Sequence, residues 1–179
     1  MSEALPLATD RLLLRRFAAG DILRFQRYRL DPAVGRYQGW SATDDAAAAA
    51  FIAAMSAAPI GALGEWVQIA VADRATNDLV GDIGLCVRDE YGGTAEVGFT
   101  IAPEAQGKGL GTEAVQGAFA LLFEATDIES IECITDARNA PSIRLLERIG
   151  MRPQYSRGTK FKGEICTELV YRMARSDWA

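Results

Sequence analysis

Histidine is absent from this sequence of 179 residues, and its absence excludes several classes of enzyme. Hydrolases built on a Ser-His-Asp or Cys-His arrangement need an imidazole base. A general base must instead be a carboxylate, a tyrosine, a lysine or a water molecule.

Cysteine is almost as scarce as histidine. The three cysteines, Cys86, Cys133 and Cys166, are far apart and odd in number, and they form no CxxC pair. This pattern predicts buried, reduced thiols in a cytoplasmic protein rather than a disulfide framework. Because no histidine is available to join them, we also expect no metal site.

Long apolar runs and basic clusters are missing as well. No apolar stretch approaches the roughly 18 residues of a membrane span, and the N-terminus lacks the segments of a signal peptide. The net charge is −5 with no basic stripe, which disfavours nucleic-acid binding and favours a cationic substrate such as an amine. The 49% of hydrophobic residues suffices for the core of one domain spanning residues 1–179.

A glycine-rich segment, Gln106-Gly-Lys-Gly-Leu-Gly-Thr112, joins a strand-like run to a helix-like run. Glycines lack the β-carbons that would keep an anion away from the backbone, and the first amides of a helix have no intrahelical partner. Lys108 adds a cation. The segment predicts a cradle for a phosphate or pyrophosphate, and its other interpretation is a turn without a ligand.

The spacing of the glycines narrows the choice of ligand. The GxxxxGK[ST] pattern of nucleotide hydrolases is absent, and the GxGxxG pattern of dinucleotide-binding domains would need glycine where Thr112 stands. The pattern that does match is Q/R-x-x-G-x-G/A, through Gln106, Gly109 and Gly111.

Hydrophobic periodicity and turn residues predict a mixed α/β (α+β) fold with the order β-α-α-β-β-β-α-β-α-β-β. The crossover from residues 95–102 to 130–135 makes those two strands parallel in an otherwise largely antiparallel sheet, with helices on both faces. Strands are expected at 11–17, 65–73, 79–88, 95–102, 130–135, 154–161 and 165–172, and helices at 20–30, 45–57, 113–123 and 139–150.

Four blocks in this order resemble the GCN5-related N-acetyltransferase (GNAT) superfamily over nearly the whole chain, and within it the ribosomal-protein-alanine (RimJ/RimL-like) branch. Besides the glycine-rich segment they are Leu7–Phe17, Asn139–Met151 and Lys162–Trp178. The resemblance implies transfer of the acetyl group of acetyl-coenzyme A to a primary amine, most readily a protein N-terminal α-amine, by a monomer or homodimer. Polyamine or aminoglycoside acceptors, and a non-catalytic acyl-coenzyme A sensor on the same fold, are the alternatives.

The resemblance also implies a cofactor-binding core over about residues 95–150. In this family the pantetheine arm runs along the strand before the glycine-rich segment, and a β-bulge near Gly98 would splay that strand from its parallel neighbour. The residues implied to bind acetyl-coenzyme A are Phe99, Thr100, Ile101, Gln106, Gly107, Lys108, Gly109, Leu110, Gly111, Thr112, Asn139 and Ser142.

Two catalytic residues are implied by the same likeness. Glu96 would take a proton from the amine, directly or through water, while an amide near Phe99 stabilises the oxyanion. Leu146 stands where many members have a tyrosine, so Ser142 would serve the departing thiolate as an acid or a hydrogen-bond donor. The other interpretations are an ordinary strand glutamate and a first-turn helix serine, and weaker candidates for the base are Glu65, Asp89 and Glu90.

Acceptor choice is expected to depend on residues 37–40, the second helix and the turn at residues 89–93. The candidate contacts are Tyr37, Trp40, Trp66 and Tyr91. Packing in the core or at its rim is the other interpretation of the two tryptophans.

Overall fold

The structure, a computed structural model, describes residues 4–88 and 93–178. An eight-stranded mixed sheet with the order β1-β2-β3-β4-β5-β6-β8-β7 lies at its centre. The strands are Leu7–Ala8 (β1), Leu12–Arg15 (β2), Val67–Asp73 (β3), Leu79–Val87 (β4), Thr94–Ile101 (β5), Ser130–Asp136 (β6), Arg152–Phe161 (β7) and Glu164–Ala174 (β8). The helices are Ile22–Arg29 (α1), Pro32–Gly35 (α2), Asp45–Ala57 (α3), Leu110–Ala125 (α4) and Ala140–Arg148 (α5). The predicted order is confirmed, with β1 and the one-turn α2 as additions.

Local signals in the sequence determine where several elements begin and end. The Asp44 side chain accepts a hydrogen bond from the Ala47 amide at 2.8 Å and so caps α3. The chain leaves α5 through Gly150 at φ 89°, a left-handed conformation that suits glycine. The β7–β8 hairpin turns through Lys162 and Gly163 at φ 48° and 87°, as a tight two-residue turn requires.

Helices cover both faces of the sheet, as predicted. On one face α4 and α5 pack through Val115, Phe119 and Leu146 against the apolar side chains of β2–β6. On the other face α1 and α3 form a smaller cluster around Phe25 and Ile52. The three cysteines are free and buried, in agreement with the sequence. No helix in residues 4–88 and 93–178 is long and apolar enough to cross a membrane.

The parallel pair β5–β6 separates soon after it begins. Its register covers Thr94 to Glu96 on β5, whereas β5 stays paired with β4 as far as Ile101 and β6 stays paired with β8 as far as Asp136. The predicted bulge near Gly98 is wrong, because β4 and β5 pair residue for residue and Gly98 lies opposite Gly84. The cleft forms because each strand follows its other neighbour while the sheet twists.

Candidate active site

A cavity of about 510 Å³ lies where β5 diverges from β6, on the face that carries α1 and α3. We call it the acceptor cavity. Its lining brings together six of the residues singled out in the sequence, namely Tyr37, Trp40, Trp66, Glu96, Phe99 and Thr100. Tyr91, Asp89 and Glu90 lie outside the described residues, and Glu65 is exposed and does not line the cavity.

Glu96 projects from β5 at the point where pairing with β6 ends, and its side chain is 15% exposed. Arg88 donates from both Nε, at 2.7 Å, and Nη2 to the same carboxylate oxygen, Oε2. Within residues 4–88 and 93–178 the second oxygen, Oε1, has no hydrogen-bond partner. Glu96 thus lines the cavity with one oxygen fixed and the other available to a ligand.

Trp66 forms a wall beside Glu96. Its indole lies over Gly84 and Gly98, and a β-carbon on Gly84 would come within 3.0 Å of the ring. The Arg88 guanidinium carbon lies 5.4 Å from the ring centroid on the way to Glu96. Trp66 is 38% exposed, so it belongs to the cavity rim and not to the core.

The backbone of β5 presents alternate peptide groups to the cleft. The Arg88–Thr94 and Ala102–Val80 hydrogen bonds show that even-numbered residues of β5 bond to β4, so Phe99 and Ile101 face away from β4. Gln38 Nε2 donates to the Phe99 carbonyl at 3.0 Å, and Gln106 Nε2 donates to the Ile101 carbonyl at 2.8 Å. The two residues expected to offer peptide groups to pantetheine therefore do face the opening.

The glycine-rich segment forms a loop at the start of α4. Gly107 and Gly109 have φ of 72° and 78°, and Gly109 is the residue that caps the helix. A β-carbon on Gly111 would lie 3.0 Å from the Leu145 side chain. The amides of residues 107–112 donate to no acceptor within the described residues, which leaves them available for an anion.

Arg11 braces this loop, a role that sequence reasoning missed. Its Nη1 donates to the Lys108 carbonyl at 2.8 Å, and its Nε donates to Glu113 Oε2 at 2.7 Å. Thr9 Oγ1 also donates to Glu113, at 2.6 Å. The start of the chain thus holds the loop and the first turn of α4 together.

Asn139 and Ser142 lie at the start of α5, on the opposite face of the sheet from the acceptor cavity. Asn139 Oδ1 accepts a hydrogen bond from the Ser142 amide at 3.4 Å, which confirms the predicted cap. Ser142 is half-buried and its hydroxyl group makes no hydrogen bond within the described residues. Leu146 is fully buried in the core.

Every carboxylate that lines the acceptor cavity has an arginine partner. Asp82, Asp136 and Glu168 pair with Arg29, Arg138 and Arg157 at 3.0, 2.8 and 2.8 Å, and Glu96 pairs with Arg88. Hydrogen bonds from Arg138 lower the pKa of Asp136 to about 2, although burial opposes the shift. The cavity is lined by charges but carries no unpaired carboxylate among the described residues.

Comparison with known proteins gives the family. Residues 11–152 match the acetyltransferase (GNAT) domain. The uncharacterized N-acetyltransferase p20 of Bacillus licheniformis is 26% identical over 178 residues, which cover 97% of this chain and 98% of that protein.

Solved structures share the fold. An acetyltransferase of the GNAT family from Bacillus anthracis superposes with a TM-score of 0.84 at 24% identity, covering 95% of this chain and 98% of its own. RimL, a ribosomal L7/L12 α-N-protein acetyltransferase solved with coenzyme A, superposes with a TM-score of 0.79 at 13% identity, covering 97% and 99%. The fold and the matched domain together confirm the resemblance seen in the sequence, and this chain belongs to the GNAT family of acetyltransferases.

Proposed function

We propose that this protein transfers the acetyl group of acetyl-coenzyme A to the N-terminal α-amine of a peptide or protein, with Glu96 as the base. The observation that carries the proposal is the position of Glu96, which lines the acceptor cavity at the end of the β5–β6 pairing and whose Oε1 has no partner within residues 4–88 and 93–178. A non-catalytic acyl-coenzyme A sensor would have no need of a carboxylate held there.

The opposite side of the cleft fits the coenzyme. The amides of residues 107–112, which donate to no acceptor within the described residues, suit its pyrophosphate. The Phe99 and Ile101 carbonyls already accept hydrogen bonds from Gln38 and Gln106, so the cleft-facing amide of Ile101 is the group that suits a carbonyl of the pantetheine arm. Thr100, Asn139 and Ser142 are the further coenzyme contacts that the resemblance to the GNAT family implies. When bound, the coenzyme supplies a thioester acetyl group as the donor.

Different residues of the chain then assist different parts of the acetyl transfer. Glu96 Oε1 accepts the proton of the attacking amine, and Arg88 keeps the carboxylate oriented through Oε2. The Phe99 amide, which faces away from β4, donates to the developing oxyanion. The Ser142 hydroxyl, unpaired within the described residues, donates to the departing thiolate. Holding the amine and thioester together supplies a large part of the rate increase.

The protonation state of the acceptor favours an α-amine. At pH 7.4 roughly a quarter to a third of an α-amine with pKa near 7.8 is neutral, against about 0.1% of a lysine amine near 10.4. A single carboxylate base therefore suffices more easily for a peptide N-terminus than for a lysine-like amine, which is almost entirely protonated. The arginine partners of the cavity carboxylates also favour an α-amine, because none of the described carboxylates in the cavity is left unpaired to hold a polycation.

A screen of acceptors with acetyl-coenzyme A tests the proposal through the release of free coenzyme A thiol. We expect turnover with N-terminal peptides and at least tenfold lower kcat/KM with spermidine or an aminoglycoside. Turnover of the small amines alone would contradict the choice of acceptor. Tight coenzyme binding without turnover of any amine would instead support the sensor.

Replacing Gly109 by valine should weaken coenzyme binding by about tenfold or more, which corresponds to roughly 1.4 kcal/mol. Gly109 has φ 78°, a conformation in which a β-branched residue is strained, and the new side chain would lie 3.5 Å from the Arg11 guanidinium group. The dissociation constant of coenzyme A, measured by calorimetry, reports the effect.

The matched control is Gly158→Val. Gly158 lies in β7 with open space around it and no positive φ, so valine is compatible with its strand. Equal coenzyme affinity in the two variants would show that the loop does not bind the pyrophosphate.

A further inference from the structure

A second cavity, of about 340 Å³, adjoins the acceptor cavity. We call it the outer cavity. The two cavities share Arg29 and Trp40 as lining residues, and the Arg29 guanidinium carbon lies 4.2 Å from the centroid of the Trp40 ring. The stacked pair therefore forms a common wall between the two cavities.

This wall contains two buried donors without partners. Arg29 is 6% exposed, and its Nη2 donates to both oxygens of Asp82 at 3.0 Å. Its Nε, and the indole Nε1 of Trp40, have no acceptor among the described residues. Nearly all buried donors in native proteins have a partner. The wall therefore has two donors to offer the oxygen atoms of a ligand that parts the stack.

The outer cavity has an excess of positive charge. Arg36 and Lys162 line it against the carboxylate of Asp31, the one acidic side chain among its described lining residues, while Arg29 is already paired with Asp82. Asp31 Oδ1 already accepts a hydrogen bond from the Ala33 amide at 2.8 Å. Lys162 Nζ lies 2.8 Å from the Gly35 carbonyl and 2.9 Å from the Trp40 carbonyl, which fixes its charge beside the wall. These charges favour an anionic group.

We propose that the outer cavity binds a carboxylate of the acceptor peptide, four or five residues beyond the α-amine that Glu96 deprotonates. This inference rests on the proposed function and adds a substrate preference to it. Glu96 and Thr100 both line the acceptor cavity, and four residues of β5 separate them by about 13 Å. Thr100 lies opposite Asp82, the partner of Arg29. The distance from Glu96 to Thr100 therefore approximates the distance from the base to the Arg29–Trp40 wall.

The rise per residue of an extended peptide shows which position of the acceptor lies about 13 Å from its α-amine. An extended chain advances by at most about 3.3–3.6 Å per residue. A peptide whose amine lies at Glu96 thus reaches the Arg29–Trp40 wall near its fourth or fifth residue, and an aspartate side chain there reaches Arg36 and Lys162 in the outer cavity.

Alanine-based heptapeptide amides with a free N-terminus test the inference. One series carries a single aspartate at position 2, 3, 4, 5 or 6, and the matched series carries asparagine instead. We expect aspartate to be preferred by about tenfold in kcat/KM at position 4 or 5, mainly through a lower KM because the contact is remote from the reacting atoms. The preference should shrink at high salt.

Variants of the outer cavity assign the preference to its residues. Arg36→Gln should reduce the preference to less than about threefold, and Arg36→Gln with Lys162→Gln should abolish it. The control is Arg24→Gln, which removes the same charge from an exposed residue of α1 that pairs with Asp78. We expect Arg24→Gln to keep the full preference.

The outcomes separate the two proposals. Equal use of aspartate and asparagine peptides at all positions, or a preference that persists in the Arg36→Gln Lys162→Gln variant, would overturn the outer-cavity site and leave α-amine acetylation standing. Acetylation of small amines with no peptide accepted would overturn both. A preference that peaks at position 2 would place the anionic site beside Glu96 and also overturn the inference.

Discussion

Replacing Glu96 by glutamine should lower kcat by about 10²–10⁴-fold near neutral pH, the range expected for loss of a positioned general base. Glutamine fills the same space beside Trp66 but accepts no proton from the amine. The remaining reaction depends on acceptor molecules that are already neutral, so the rate profile should shift to higher pH. The measurement is kcat against pH with one peptide acceptor, together with the KM for acetyl-coenzyme A.

The Arg88–Glu96 pair requires a second variant. In Glu96→Gln the guanidinium group of Arg88 loses its ion pair, and its freed charge beside the cavity would repel a cationic amine. The double variant Arg88→Gln Glu96→Gln removes that charge while the base stays absent. Activity that remains low in the double variant assigns the loss to the missing base, whereas recovery would assign it to the freed arginine.

Glu132 provides a matched control for the same substitution. It lies directly opposite Glu96 in the β5–β6 register but does not line the acceptor cavity. Glu132→Gln should therefore keep kcat within about threefold of the wild-type value, as expected for a residue outside the reaction. A normal rate and an unchanged pH profile in Glu96→Gln would remove Glu96 as the base.

Much of the fold could be predicted because its signals are local. Asp44 caps α3 from three residues away, and Lys162-Gly163 supplies the positive φ values of its own hairpin. The parallel pairing of β5 with β6 followed from the length of the crossover between them. Such features need no knowledge of distant residues, so a single sequence suffices for them.

The contacts that shape the site could not be predicted from the sequence, because they join residues that are far apart in the chain. Arg11 and Glu113 are 102 residues apart, and Gln38 and the Phe99 carbonyl are 61 residues apart. A glutamine or an arginine has no pattern that identifies its partner, since either is equally compatible with solvent. The net charge of the sequence also could not predict the charge of the acceptor cavity. The sequence contains the acidic residues but does not show which arginine pairs with each of them.

Gly98 lies in the strand that borders the predicted cleft, but the β-bulge predicted there is not the reason that the cleft forms. Its position in the strand before the loop suggested a bulge, but the β4–β5 register is regular there. The structure gives another reason for the glycine, because Gly84 and Gly98 together form the floor below the Trp66 indole. The cleft itself depends on the other partners of β5 and β6, which are encoded elsewhere in the chain.

Replacing Asp82 by alanine should destabilise the protein by about 3–5 kcal/mol, the usual cost of leaving a buried charge without its partner. Asp82 is 2% exposed, and it accepts hydrogen bonds from Arg29 at 3.0 Å and from the Tyr28 hydroxyl at 2.5 Å. Burial raises the pKa of Asp82, and Arg29 opposes that shift. Urea unfolding should report the loss, together with a fall in Tm on the order of 10 °C.

A neighbouring ion pair supplies the control. Arg24 and Asp78 also join α1 to the start of β4, at 2.8 Å, but their side chains are 44% and 45% exposed. Asp78→Ala should therefore cost less than about 1 kcal/mol, since solvent already screens the pair. A loss in Asp82→Ala no larger than that in Asp78→Ala would contradict the importance of burial.

A double variant distinguishes the cost of leaving Arg29 unpaired from the cost of losing the ion pair. Arg29→Met Asp82→Ala removes both ions and keeps an unbranched side chain against Phe25 and Trp40, so it should recover much of the stability lost in Asp82→Ala. Because Arg29 also forms the wall between the two cavities, this variant should fold stably and still lose the preference for an acidic acceptor. In that outcome the double variant would be more stable than Asp82→Ala but would show no preference for an acidic acceptor. An apolar side chain at position 29 would then hold α1 on the sheet nearly as well as arginine, so the role of the buried arginine would be acceptor recognition.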